Sequence, residues 1–392
     1  MVSRRSTVTR RMQPVPERPR PTLVVVEQLR RRVPGGIGAH ARGLLGGLTG
    51  LKREGEPIDL TLLASRAPHD EHEDGLRDLG WPLQVSALPG RLLTRAWDHR
   101  LIHAPASFDL VHSVSMAAPF PSRTRGGRLV LTVHDLAWRR HPEATTTRGA
   151  RWHEAALARA RKSAAQIVVP SRFVAADLAA AGVEESRITV VPSGADHLPA
   201  PDGVGTDALF ARLGIREPYL LSVGTLEPRK NLARLVRAYG AVRASLPEAW
   251  PLVVVGPTGW GDQGVSAGTE GVIFTGVVPD AVLAELYVRA RAFAYVPLTE
   301  GAGLPPLEAM RAGTPALVAK EVPSVDDLDA SGPSPALLVD PLDVDDIAAG
   351  LVSVLTDEAV RADLSARGSP YARERTWRRA ALDHLALWRS LP

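Results

Sequence analysis

Short apolar runs bounded by polar or turn-forming residues recur along this chain and alternate with longer stretches of helical period. Residues 22–27 (TLVVVE) form a continuous apolar run of the kind buried on both faces of a parallel sheet. Residues 60–65, 109–113, 128–133, 167–170 and 188–192 read as further strands. Helical periodicity covers about 39–51, 148–164 and 172–182, the last with Ser171 as its cap. Residues 66–108 read as irregular. Strands therefore alternate with helices from 22 to 192, which predicts a doubly wound parallel sheet.

Residues 193–206 (SGADHLPAPDGVGT) interrupt this rhythm with Gly, Pro and Asp and read as an interdomain linker. The second half then repeats the pattern. Strands are expected at 219–224, 252–256, 272–275, 292–296, 315–319 and 336–339. Helices are expected at 232–245, near 280–290, at 343–357 and 358–374, and at 376–390. The reading is α/β: two Rossmann-like doubly wound domains, 21–195 and 196–375, with an arm at 1–20 and a terminal helix in 376–392.

Composition narrows the class. At 392 residues the chain is long for a single core. No run approaches the ~18–20 apolar residues of a membrane span, and no apolar segment follows the N-terminal charges as a signal peptide would require. The absence of cysteine excludes disulfides, thiolate metal sites and thiol nucleophiles, and fits a cytoplasmic protein. A net charge of +4 is mild for this length and argues for no nucleic-acid partner. Six arginines crowd residues 1–20 beside Pro14, Pro16 and Pro19, predicting a disordered basic arm. It is either a solvated tail or a weak tether to anionic lipid. The patch His69, Asp70, Glu71, His72, Glu73 and Asp74 matches no metal-ligand spacing and reads as a solvated loop.

The candidate chemistry lies at strand ends. Residues 295–315 (YVPLTEGAGLPPLEAMRAGTP) place Glu300 just past a buried strand, where an acid needs a partner or a polyol ligand. Gly301, Ala302 and Gly303 let a ligand approach the backbone. Pro305 or Pro306 then opens a helix whose first turn carries Glu308, a place the helix dipole favours for an acid. Arg229 and Lys230 follow another strand, a planar fork beside a point charge that suits a pyrophosphate. Residues 35–38 (GGIG) sit between a strand and a helix, as a tight turn or a phosphate-holding loop. His134-Asp135 lies at a strand end on the ligand-binding edge, where His134 is either a ligand contact or a structural histidine.

Acid, seven residues, acid in EGAGLPPLEAMRAGTP, with EPRKN upstream, HDL in the first half and GGIG after the first strand, resembles the retaining GT-B glycosyltransferases of family 4, group 1, of mannosyl- or rhamnosyltransferase type. The resemblance implies a GT-B fold whose two domains face across a cleft, the first binding the acceptor and the second the donor. It implies that the terminal helix crosses back to the first domain. Glu308 would bind the ribose of a nucleotide sugar, and Glu300 hydroxyls of the donor sugar. Arg229 and Lys230 would neutralise the leaving diphosphate, facing solvent when the cleft is empty. Backbone around Gly301, Ala302, Gly303 and Leu304 would hold the donor sugar and its phosphate, with Gly224 in the same set. Gly36 would face phosphates or acceptor, His134 the donor sugar, and Val277 and Val278 the nucleobase. Ala302 stands where the family often has an aromatic residue, which leaves the shape of the sugar pocket open.

The implied reaction moves a hexose from a nucleoside-diphosphate sugar, leaning to GDP-mannose, by front-face attack with retention, using no metal or other cofactor. The acceptor is a carbohydrate, a lipid-linked sugar or a small molecule, and peripheral contact with the inner membrane face stays open. The alternatives are a non-catalytic nucleotide-sugar-binding subunit and another GT-B enzyme such as an epimerase.

Overall fold

Continuous apolar strands need cover on both faces, and the chain provides it by flanking two parallel sheets with helices. The computed structural model describes residues 19–66, 75–121, 127–246, 248–259, 265, 268–326 and 333–392. The first sheet contains β1 (Thr22–Val25), β2 (Leu60–Arg66), β3 (Leu83–Pro89), β4 (Leu110–Ser113), β5 (Arg128–Thr132), β6 (Gln166–Val169) and β7 (Ile188–Val190). Their order is β3-β2-β1-β4-β5-β6-β7, every pair parallel. Strand order reverses at β1, so the loops after β1 and β4 part and open a crevice at the carboxyl edge. The longer described helices of this half are α1 (Gly35–Arg53), α2 (Gly90–Asp98), α3 (Thr147–Ser163) and α4 (Arg172–Ala180).

Three expectations change here. The 35–38 glycines are not a loop: α1 begins at Gly35, and Gly36 lies in its first turn with open space where a Cβ would stand. The stretch read as irregular holds β3 and α2 among its described residues, 75–108. β3 is an edge strand largely exposed along its length, so it carries no apolar run to betray it. The linker is shorter than 193–206, because α5 (Gly203–Leu213) starts inside it, capped by the Asp202 carboxylate on Gly205 N–H at 3.0 Å. Residues 1–18 and the acidic patch at 69–74 lie outside the described residues. Arg20, at the end of the expected arm, is held: its guanidinium donates to the carbonyls of Trp388 at 3.2 Å and Leu391 at 2.6 Å.

The second sheet contains β8 (Leu220–Val223), β9 (Leu252–Val255), β10 (Val272–Gly276), β11 (Ala292–Tyr295), β12 (Ala316–Ala319) and β13 (Leu337–Val339), in the order β10-β9-β8-β11-β12-β13. Its longer described helices are α6 (Leu232–Arg243), α7 (Asp280–Arg289), α8 (Leu304–Arg311), α9 (Val344–Thr356) and α10 (Glu358–Arg373). The final helix, α11 (Trp377–Ser390), leaves this half and packs on α1. Glycines make that approach possible. A Cβ on Gly43 would stand 2.0 Å from the Trp377 ring, and one on Gly47 2.3 Å from the Trp377 carbonyl. Trp377, Leu385 and Trp388 thereby join the core of the first half beside Leu44 and Leu48. Among the described residues, no helix is long and apolar enough to cross a membrane.

Candidate active site

β8 and β11 are neighbours where the order of the second sheet reverses, so the loops that follow them leave the same edge side by side. This adjacency brings Arg229 and Lys230 onto Glu300. Glu300 Oε2 accepts from Lys230 Nζ at 2.5 Å, from the Tyr295 hydroxyl at 2.5 Å and from Arg229 at 3.3 Å. Lys230 also donates to the Tyr295 oxygen at 2.7 Å. Arg229 spans on to the Glu227 carboxylate at 2.7 Å and the Thr299 carbonyl at 3.1 Å. Asn231 locks the two loops together. Its backbone is left-handed, with φ of 59°, and its buried amide donates to the carbonyls of Val296 at 2.9 Å and Pro341 at 2.7 Å.

The expectation that Arg229 and Lys230 face solvent is corrected. Each side chain is 18% exposed, and Glu300 is 13% exposed. A buried carboxylate left without a partner costs several kcal/mol, so both cations fold onto it. Burial opposes the charge of Glu300, but Lys230 and Arg229 prevail and hold its carboxyl well below the ordinary carboxylate range. Burial pushes Lys230 down while Glu300 pulls it back. Burial also lifts the Tyr295 phenol well above its usual value, which keeps it a donor.

Glu308 is not in the first turn of its helix. α8 starts at Leu304, before both prolines, on Gly303 at a left-handed φ of 81°. A side chain at Gly303 would strike Ser324 and Val322, each 2.6 Å away. Glu308 is therefore the fifth residue of α8 and 7% exposed. One of its oxygens accepts from the Tyr287 hydroxyl at 2.7 Å, and His197 Nε2 lies 3.4 Å from the other.

The first half meets this loop directly. A Cβ on Gly301 would stand 1.7 Å from the His134 carbonyl oxygen. The Ser171 hydroxyl, which caps α4, donates to the Gly301 carbonyl at 2.8 Å. His134 Nε2 donates to the Val114 carbonyl at 2.8 Å, and its ring meets His40 edge-on at 4.8 Å. Behind it His40, His112 and His384 are buried in contact with Trp377 and Trp388. Burial lowers all four histidines, His384 to about 4.

Of the remaining expected residues, Gly224, Ala302 and Leu304 adjoin this centre, and Val277, Val278 and Gly36 are not brought onto it. Gly224 follows β8, and a Cβ built on it would stand 3.7 Å from the aliphatic part of Lys230. Ala302 and Leu304 line a pocket between the halves with Pro170, Ser193 and Arg375. Leu304 also joins the core of the first half. Glu300 and Thr299 border a second, polar pocket with Arg140, His141, Phe173 and Lys320. Val277 and Val278 follow the edge strand β10, two strands from β8, with Val277 74% exposed. Gly36 lies at the crevice of the first sheet. Sequence reasoning gave no site role to Tyr295, Tyr287, Glu227, Asn231 or His197, and read Ser171 as a helix cap alone. The two tyrosines sit in core-like apolar runs that give no sign of the hydroxyl's destination.

Two parallel-sheet domains with cations, a paired acid and a helix start at one sheet edge define a GT-B sugar-transferring enzyme. Residues 34–197 match the model of glycosyltransferase family 4, and residues 206–375 that of glycosyl transferases group 1. The chain belongs to this family, and it is a glycosyltransferase. It is 34% identical over 259 residues to O-antigen chain mannosyltransferase B of Escherichia coli, covering 64% of this chain and 67% of that protein. It is 28% identical over 369 residues to phosphatidyl-myo-inositol mannosyltransferase of Mycolicibacterium smegmatis, covering 88% and 87%. The fold matches HepE of Anabaena, solved with UDP-glucose, with a TM-score of 0.71 at 19% identity over 94% of this chain and 99% of that one. WaaG, a glycosyltransferase of lipopolysaccharide biosynthesis, matches with a TM-score of 0.64 at 16% identity over 93% and 99%.

Proposed function

We propose that the enzyme transfers a hexose, mannose or a close relative, from a nucleoside-diphosphate sugar to a hydroxyl acceptor with retention and without a metal ion. The observation that carries this reading is the Arg229–Lys230–Glu300–Tyr295 cluster at the reversal point of the second sheet, with Glu308 one turn into the helix that follows it. In the proposed step the anomeric C–O bond breaks and its electron pair stays on the diphosphate. The acceptor oxygen bonds to the same face, and its proton passes to the leaving phosphate oxygen. Arg229, Lys230 and the backbone N–H groups at the start of α8 stabilise the negative charge that develops. Glu300 takes hydroxyls of the donor sugar, and Glu308 takes the ribose. His134 and Gly36 close the site from the first half, and Val277 and Val278 lie against the base.

The mannose assignment is supported by relatives named mannosyltransferases. One of them, from M. smegmatis, is named as GDP-mannose-dependent and is 26% identical over 284 residues. Relatives named for phosphatidylinositol and O-antigen chains support an acceptor presented at a membrane face. Exposed Arg148, Arg151 and Lys162 of α3 would favour an anionic surface. One experiment tests these points: GDP-mannose, UDP-glucose and related donors incubated with chelator, with and without anionic vesicles, products read by mass spectrometry and NMR. Turnover of GDP-mannose above the others, unchanged by chelator, with an α-linked product and stimulation by vesicles, is expected. An inverted product refutes retention, loss of rate with chelator refutes metal independence, and indifference to vesicles refutes the membrane face. Turnover of no nucleotide sugar overturns the reading.

A further inference from the structure

The chain crosses between its halves twice, at 191–202 and at 374–377, and the two crossings are bonded to each other. Ala195 N–H donates to the Arg375 carbonyl at 3.0 Å, and Trp377 N–H donates to the Asp196 carboxylate at 2.7 Å. Gly194 is needed there, since a Cβ on it would stand 2.2 Å from Trp377 N. His197, which follows Asp196, reaches from this double crossing to Glu308.

The hydrogen bonds fix which way His197 acts. The Trp377 indole N–H can only donate, and it donates to His197 Nδ1 at 3.3 Å. Nδ1 is thus the bare nitrogen, and the ring proton sits on Nε2, 3.4 Å from Glu308 Oε1. This contact is at the long edge of hydrogen-bond reach, as such contacts often are before a ligand tightens them. The Tyr287 hydroxyl holds the other carboxylate oxygen at 2.7 Å. A carboxylate offers about four acceptor positions, two per oxygen. With Tyr287 donating to one oxygen, and His197 to the other once their 3.4 Å contact closes, a single lone pair remains on each oxygen, which matches the two donors of a vicinal diol.

We propose that His197 is a positioning residue that orients Glu308 for the 2′,3′-diol of the donor nucleotide and links that contact to the hinge through Trp377. The proposal rests on the assignment of Glu308 to the ribose. His197 itself touches neither the sugar nor the diphosphate.

The test measures affinity for GDP, or UDP if it binds more tightly, and for its 2′,3′-dideoxy analogue in the full chain. His197→Phe keeps a ring against Trp377 and removes both the Trp377 hydrogen bond and the polar contact with Glu308. It should weaken the nucleoside diphosphate on the order of tenfold, leave the dideoxy analogue within about twofold, and raise KM for the donor with kcat little changed. His197→Gln, whose amide N–H can stand in for Nε2–H, should restore most of the loss. Equal weakening of both nucleotides, no weakening, or no rescue by Gln overturns the proposal, and a melting curve shows whether each variant is folded. The ribose assignment fails separately. It fails if the wild type binds both nucleotides alike, or if Glu308→Ala costs the same affinity for each. Binding of neither GDP nor UDP to the wild type overturns both.

Discussion

Glu300→Gln isolates the competition built into the empty site. Arg229 and Lys230, the cations proposed for the diphosphate, already share Glu300 Oε2, and Arg229 also engages Glu227. An incoming diphosphate must share these cations with a carboxylate of its own sign. Removing that charge while keeping the shape has two opposite effects. Without ligand, two buried cations lose a counter-charge, which costs about 3 kcal/mol of stability by comparison with other broken buried pairs. With ligand, the repulsion between the Glu300 charge and the nearest phosphate charge disappears. At ~7 Å and an effective dielectric constant of ~20 that repulsion is about 2 kcal/mol, close to a 30-fold change in affinity. Glu300→Gln should therefore melt earlier than the wild type, bind the nucleoside diphosphate about 30-fold more tightly, and lose turnover because the donor sugar loses its carboxylate. Calorimetry and thermal melting read the first two, and a donor assay the third. Affinity within twofold of wild type, or weaker, would refute the idea that Glu300 neutralises the diphosphate site.

Two further outcomes follow from the site and its surroundings. The buried histidines hold neutral rings, so the unfolded chain binds more protons than the folded one once pH falls below about 6.5. Stability should be full above that value and decline as pH falls towards about 4, the folded value for His384, which alone accounts for about 3 kcal/mol; a melting temperature flat from pH 7 down to 4 would contradict this. Gly301→Ala places a methyl group 1.7 Å from the His134 carbonyl, so it should hold the halves apart and lower kcat/KM about 100-fold or more, read by kinetics with solution scattering; a variant with wild-type kcat/KM would show that the contact is dispensable.

The architecture was legible from local pattern. Strands such as 22–27 and 252–255 must be covered on both faces, and with helical periods between them a doubly wound sheet is the consistent arrangement. β3 escaped because an edge strand exposed along its length leaves no apolar run, and α5 because its Asp202 cap and glycines resemble a linker.

The acids and cations of the site were legible as residue types at strand ends, where a binding edge is expected. Which of them meet was not, because contact depends on strand order, and order is set by the packing of the whole sheet. Only the reversal between β8 and β11 places Lys230 against Glu300, 70 residues away. The same holds for Glu308. Its spacing from Glu300 is written in the chain, but its Tyr287 partner comes from the packing of α7 beside α8 in the second half, and its approach from His197 from the bonding of the two crossing segments to each other. Local sequence determines which segments are strands and helices because those depend on near neighbours. The protonated nitrogen of His197 and the counter-charge of Lys230 depend on residues brought close by tertiary packing alone.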